Sequence, residues 1–81
     1  MKTFLHLKSR AHKQRHYWVS GFPNKLLEDG FQERILNDFS CVISEINDFD
    51  KLKTSKCFNL IVPEDKYISF ISWLRENVDL G

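Results

Sequence analysis

The sequence predicts an α+β domain, a two-layer sandwich of a four-stranded antiparallel sheet with two helices on one face. The 81 residues allow a single domain over residues 1–81, because a chain this short buries only about 60% of its unfolded surface. An apolar fraction of 42%, with 14% aromatic residues, is typical of a chain with a packed core. Strand-like and helix-like stretches follow one another in the order β-β-α-β-β-α.

The first two predicted elements are strands that form a hairpin. Residues 3–8 (TFLHLK) place apolar residues beside polar ones, which indicates a short strand. Residues 9–15 (SRAHKQR) are polar and basic, and they predict a turn or loop. Residues 16–22 (HYWVSGF) are rich in aromatic and β-branched residues, which favour a strand, and Pro23 follows them.

The next predicted element is an amphipathic helix over residues 25–39. Gly30 lies inside it at a cost of about 1 kcal/mol relative to alanine, and we expect this glycine to mark close packing. Acidic residues take the outer face of the helix. Apolar residues recur at every fourth position on the other face: Leu27, Phe31, Ile35 and Phe39.

The second half of the chain predicts two strands and a helix. Residues 40–46 (SCVISEI) and 56–62 (KCFNLIV) are the strands, separated by a polar loop at residues 47–55. Glu64 and Asp65 open the helix, where negative charge suits the helix dipole. An apolar stripe runs along it: Tyr67, Phe70, Ile71, Leu74 and Val78.

The order of these elements predicts a topology. From Tyr17 onward it is β-α-β-β-α, the first five elements of the ferredoxin-like, split βαβ fold. The sixth element of that fold is an edge strand antiparallel to the first, and no strand is predicted after the second helix. The strand at residues 3–8 would occupy the same edge. We therefore predict a circularly permuted sheet, in which the N-terminal strand replaces the last one.

Charge is distributed unevenly, although the net charge is only +1. Residues 1–16, the predicted basic hairpin segment, contain five Lys or Arg, all three His and no acid. Residues 17–81 contain seven Lys or Arg and eleven acids. A basic segment on an acidic body indicates a polyanionic or acidic partner, and the alternative is a solvated terminus.

Several classes of protein are excluded by composition. No apolar run approaches the roughly 18 residues of a membrane span, and no signal peptide is recognisable. Cys41 and Cys57 are too few for a disulfide scaffold, and we predict that they pack as small hydrophobes. No catalytic, metal-binding or nucleotide-binding motif is present, so we expect no enzyme activity, no cofactor and no metal. We expect the protein in the cytoplasm or nucleus, without membrane contact.

Two strand sequences resemble motifs of the RNA-recognition-motif (RRM) family. Residues 17–23 (YWVSGFP) are similar to the hexamer on the family's first strand. Residues 56–63 (KCFNLIVP) are similar to the octamer on its third strand, at Lys56, Phe58 and Ile61. The resemblance covers about residues 17–74. The chain departs from the octamer at four positions: Cys57, Asn59, Leu60 and Pro63.

The resemblance implies a nucleic-acid-binding sheet surface. In the family, the positions of Trp18, Phe58 and Leu60 face outward, and bases stack there for about 1–3 kcal/mol each. We therefore expect a non-catalytic domain that binds single-stranded nucleic acid, RNA more than DNA. Five cations would contact its phosphates: Lys8, Arg10, Lys13, Arg15 and Lys56.

Strand alternation alone leaves a second register open. Phe58, Leu60 and Val62 share one face of their strand and resemble a core more than Cys57 and Asn59 do. If that face is buried, the stacking platform of the RRM family does not exist.

A second function also stays open, that of an RRM-like protein-interaction module acting as a regulatory or inhibitory adaptor. Such a module would use its helical face or a sheet edge, as a monomer or a homodimer. The acidic first helix and the degraded octamer favour this function. Trp73 would then be a docking anchor if exposed, but we expect it to be half-buried against the sheet.

Overall fold

The computed structural model describes residues 2–81 and has an α+β architecture. All four strands belong to one antiparallel sheet with the order β1-β2-β4-β3. The strand at the N-terminus lies at one edge, next to β2, as predicted. The elements are β1 (Phe4–Ala11), β2 (Gln14–Pro23), α1 (Asn24–Glu28), α2 (Phe31–Phe39), β3 (Val42–Asp48), β4 (Ser55–Pro63), a 3-10 turn (Glu64–Lys66) and α3 (Tyr67–Asn77).

The first hairpin is longer than predicted. The polar residues 9–15 are not a loop, because β1 continues to Ala11 and β2 begins at Gln14. Only His12 and Lys13 form the turn, and both have positive φ angles, 44° and 65°. Tight two-residue hairpins need this conformation, since it matches the twist of the paired strands. The basic segment is therefore an ordered two-stranded ribbon.

The predicted helix over residues 25–39 is two helices. The break lies at Gly30, which precedes α2 with a φ of 84°, a conformation that ordinary residues avoid. A methyl group at this position would meet no atom within 4 Å, so the expectation of close packing there is wrong. The positive φ angle at this position favours glycine, and no neighbouring atom excludes a larger side chain.

One face of the sheet forms the core with α2 and α3. Tyr17 and Val19 of β2 belong to this core, and so do Phe58, Leu60 and Val62 of β4, because alternate side chains of a strand point to the same face. Phe22 lies among the aromatic rings of this core, with its centroid 4.5 Å from Phe31 and 5.2 Å from Phe58. The helices contribute further buried side chains: Phe31, Ile35, Phe70 and Leu74.

Trp73 is partly buried, but it packs among helix residues. Its ring centroid lies 5.8 Å from that of Phe31, 5.6 Å from Phe39 and 6.3 Å from Phe70. The guanidinium of Arg34 covers it at 5.7 Å. The predicted half-burial is confirmed, with the aromatic residues of α2 and α3 as its neighbours. Trp73 is a structural residue that joins these two helices.

Residues near the two ends of the sequence meet beside β1. Thr3 is fully buried and forms a parallel bridge with Leu80. The Thr3 amide donates to the Asp79 carbonyl at 2.8 Å, and the Gly81 amide donates to the Thr3 carbonyl at 2.9 Å. The Thr3 hydroxyl donates to the Gly21 carbonyl at 2.9 Å. These bonds hold the segment after α3 against the start of the sheet.

Candidate nucleic-acid interface

The face of the sheet opposite the core is not covered by any helix of residues 2–81, and Trp18 lies near its centre. Trp18 alternates with the buried Tyr17 and Val19, so it points away from the core. The strand register places His6 of β1 on one side of it and Asn59 of β4 on the other. Trp18 is partly buried and is not part of the core cluster. An indole with one exposed side on an open sheet is suited to stacking with a planar group.

A second row of outward side chains lies next to Trp18. His16 is two residues before Trp18 on the same strand and pairs with Ile61 of β4. A small depression of about 160 Å³ opens beside His16, and Ile61 and Gln14 also line it. Neither His16 nor His6 was predicted as a site residue from the sequence. For His16, its place two residues before Trp18 on the same strand was the available signal, whereas the position of His6 opposite Trp18 depends on the register shift between Leu7 and Ser9.

Asn59 anchors the polar network of this face. Its side-chain oxygen accepts from the Lys8 ammonium at 3.3 Å and lies 3.3 Å from Nε2 of His16. Its side-chain nitrogen donates to the carboxylate of Glu45. Asn59 is only 7% exposed, and these partners satisfy its amide, as a buried polar group requires. The network fixes the position of His16 and Lys8 beside Trp18.

The outward orientation expected for Phe58 and Leu60 is wrong. Each is 1% exposed and belongs to the core. The alternative register holds, with Phe58, Leu60 and Val62 all facing the helices. Packing Phe58, Leu60 and Val62 against the helices removes more hydrocarbon from water than packing Cys57, Asn59 and Ile61 there would. A shift of one residue in the strand would exchange these two groups between the faces of the sheet. Trp18 is the only aromatic of the expected platform that faces outward.

Two of the five expected phosphate contacts form ion pairs within the fold. Arg15 donates two hydrogen bonds to Glu64, at 2.9 and 2.8 Å, and its guanidinium lies 3.7 Å from the centroid of Tyr67. The hydrogen bonds to Glu64 raise the pKa of Arg15, and the same contact lowers the pKa of Glu64. Lys56 forms an ion pair with Asp48. Arg15 and Lys56 therefore hold the fold together and are not available as free phosphate ligands.

The other three expected cations lie exposed on the hairpin. Lys8 reaches from β1 toward Asn59, near Trp18. Arg10 lies further along β1, and Lys13 is in the turn. Neither Arg10 nor Lys13 makes a side-chain hydrogen bond to another residue in the range 2–81. Lys8 therefore lies on the face of Trp18, Lys13 lies at the tip of the hairpin, and Arg10, which pairs with Arg15 and helps to lower the pKa of Glu64, lies on the opposite face.

No family model, curated protein or solved structure matches this chain. The resemblance to the RRM family therefore stays a prediction that depends on the residues quoted for it. Among residues 2–81, no helix has both the length and the apolar character needed to cross a membrane. The same residues contain no cluster of three His, Cys, Asp or Glu side chains arranged to hold a metal ion.

Both cysteines are buried and unpaired by a disulfide, in agreement with the prediction that they pack as small hydrophobes. Cys41 precedes β3 and is fully buried in the core, where burial raises the pKa of its thiol to about 12. Cys57 lies on β4, where its thiol is 3.7 Å from the Asn47 carbonyl. Cys41 is therefore not a candidate nucleophile, because the reactive form of cysteine is the thiolate and burial disfavours it.

Proposed function

We propose that this protein is a non-catalytic domain that binds single-stranded nucleic acid, RNA in preference to DNA. The observation that carries the proposal is the position of Trp18, which lies on the open face of the sheet between His6 and the Asn59 network. Exposed cations follow the same hairpin. A stacking surface beside a basic track is the arrangement that non-specific single-strand binding uses.

The proposed binding mode uses one base-stacking residue and a short basic track. One base stacks on Trp18 with a phosphate on Lys8 beside it, and the strand then passes Lys13 at the tip of the hairpin to reach Arg10 on the other face. Stacking contributes about 1–3 kcal/mol per base. Three phosphate contacts give a slope of about −2 when the logarithm of the binding constant is plotted against the logarithm of the salt concentration. The preference for RNA derives from the resemblance to the RRM family.

We also propose that the sheet is a circularly permuted ferredoxin-like sheet. The strand order β1-β2-β4-β3 supports this, since β4 lies between β2 and β3 and is antiparallel to both. In this assignment β1 takes the edge that the sixth element of the fold would occupy. The binding residues then lie on one central strand, β2, and on the edge strand that has been moved to the front.

The stacking part of the proposal is tested by fluorescence anisotropy with labelled single-stranded RNA and DNA of the same sequence. We expect Trp18→Ala to weaken binding by about 5- to 150-fold, the equivalent of one lost stacking contact. Trp18→Phe keeps an aromatic face and should restore most of the affinity. Ile68→Ala, at a side chain that is 78% exposed on α3, is the matched control and should leave binding unchanged.

The electrostatic part is tested by the salt dependence of each variant. Arg10→Ala and Lys13→Ala should each reduce the slope by about 0.7, the contribution of one phosphate contact to a single strand. Arg15→Ala should leave the slope unchanged in the folded protein, because its charge is already paired with Glu64.

Two results would overturn the proposal. One is full affinity in a folded Trp18→Ala variant, which would mean that the hairpin binds nucleic acid only through its positive charge. The other is no binding of RNA or DNA at low salt. The second result would leave an RRM-like protein-interaction module as the remaining function.

A further inference from the structure

The two edges of the sheet carry opposite charges. β1 forms one edge and contains Lys8 and Arg10 but no acid. β3 forms the other edge and contains Glu45 and Asp48 but no cation, and of these two acids Asp48 is paired with Lys56 of β4 whereas Glu45 forms no ion pair within residues 2–81. Four of the eight large apolar side chains that are exposed among residues 2–81 also lie on these two strands: Phe4, Leu7, Val42 and Ile46.

We propose that copies of this chain associate head to tail, with β3 of one copy adding to β1 of the next. An edge strand presents unpaired backbone N–H and C=O groups and is a ready template for another strand. Charge complementarity identifies the occupant, because the acidic edge of β3 matches the basic edge that every copy carries. The exposed apolar side chains on both strands would be covered in the same contact.

The strand directions agree with this arrangement. Successive strands across the sheet, β1, β2, β4 and β3, are each antiparallel to their neighbours. A second copy in the same orientation therefore presents β1 antiparallel to β3 of the first. The alternating pattern continues across the contact without a break.

The symmetric alternatives are disfavoured by charge. A two-fold pair of β3 strands would place the acidic edge against itself, and a two-fold pair of β1 strands would do the same with the basic edge. Like charges on facing strands destabilise the pairing. The head-to-tail contact avoids both conflicts.

Local geometry limits the strength of the contact. Glu45 has a φ of 54° and lies where the register between β3 and β4 shifts, a bulge that twists the edge. The start of β1 is covered by the bridge between Thr3 and Leu80. The free lengths of both edges are therefore short, and we expect reversible association that is strongest at low salt and high protein concentration.

Sedimentation velocity of the full chain, without nucleic acid, tests the proposal. We expect the average sedimentation coefficient to rise with concentration without a plateau at the dimer, because a head-to-tail contact does not close on itself. High salt should reverse the rise, since it screens the charges of the contact. This experiment is independent of nucleic-acid binding, so its failure and the failure of the proposed function are distinguishable.

Charge variants provide the sharper test. Arg10→Glu places an acid on the β1 edge and cancels its net positive charge, and Ile46→Lys places a cation on the β3 edge. Each alone should weaken association about tenfold, and a mixture of the two should restore it, because the altered edges complement each other. Lys25→Glu on α1 makes the same charge change as Arg10→Glu away from both edges, and it should associate like the unmodified chain.

Four outcomes would overturn the proposal. A monomer at every concentration in low salt excludes the contact. A discrete dimer that does not grow excludes head-to-tail geometry. Association that strengthens with salt excludes charge as its basis, as does failure of the mixture to recover while both variants are folded by circular dichroism.

Discussion

Replacing Phe58 by alanine distinguishes the two registers of β4, because the loss of stability is large only if Phe58 is buried. Phe58 is 1% exposed, and its ring lies edge-on to Phe22 at 5.2 Å. Truncating a buried phenylalanine costs about 3–5 kcal/mol, because it removes the buried ring and leaves a cavity. A domain of this size has a total stability of about 4–12 kcal/mol. We therefore expect the variant to lose between about a quarter and all of its stability.

The measurement is urea unfolding followed by tryptophan fluorescence, together with a thermal melt. At about 4–8 °C per kcal/mol, the melting temperature should fall by roughly 12–40 °C. Ile68→Ala, an exposed position, is the control and should shift stability by less than about 0.5 kcal/mol. A loss under about 1 kcal/mol for Phe58→Ala, with an unchanged denaturant slope, would refute the reasoning, because it would mean that the ring faces solvent.

Three further predictions concern single positions. Gly30→Ala should lower stability by about 1–2 kcal/mol, because Gly30 has a positive φ; a rise in melting temperature would instead indicate one continuous helix. Thr3→Val should lose about 1–3 kcal/mol by leaving the buried Gly21 carbonyl without its donor, whereas Thr3→Ser should keep most of the stability in the same urea titration. In a Cys57→Ala background, Cys41 should resist a disulfide reagent at pH 8 until urea unfolds the protein. A pKa of about 12 leaves about one Cys41 thiol in ten thousand ionised at this pH. Rapid labelling of the native state would contradict the burial of Cys41.

Strand segments whose residues form an apolar pattern were predicted from the sequence. The polar segments of the first hairpin, which are strands because they pair with each other, were not predicted. Residues 16–22 and 56–62 lie within β2 and β4, because their aromatic and β-branched side chains favour strands wherever they are placed. Residues 9–15 contain no such pattern. They extend the hairpin because each strand supplies hydrogen-bond partners for the other, and that contribution is not visible in either segment alone.

The break at Gly30 was hidden by the apolar spacing around it. Leu27 and Phe31 keep the four-residue interval of one helix, although they lie in α1 and α2 respectively. Periodicity reports which side chains face the core, and both short helices meet that requirement. The positive φ of the glycine between them is a backbone property that periodicity does not report.

The candidate site was predicted in part. Alternation along β2 indicates that Trp18 and His16 share a face, but it does not say which face the helices cover. For β4 the resemblance to the RRM family and the plain alternation gave opposite answers, and the alternation was right for Phe58 and Leu60. The pairing of Arg15 with Glu64 joins residues 49 positions apart, so no local pattern indicates it.

The position of β1 at the front of the chain has a consequence for the rate of folding. β1 pairs with β2 through a turn of only two residues, so Ala11 faces Gln14 and Phe4 faces Ser20 at short sequence separation. If the same edge strand followed α3, every one of these pairs would have to close a loop through most of the domain. Long-range pairing slows folding, because loop entropy is lost before the contacts form. A chain in which a connecting loop led from the segment after α3 back to the start of β1, and which was opened between His12 and Lys13, would keep the same strand pairs and fold more slowly, because the parallel bridge between Thr3 and Leu80 does not allow a direct join.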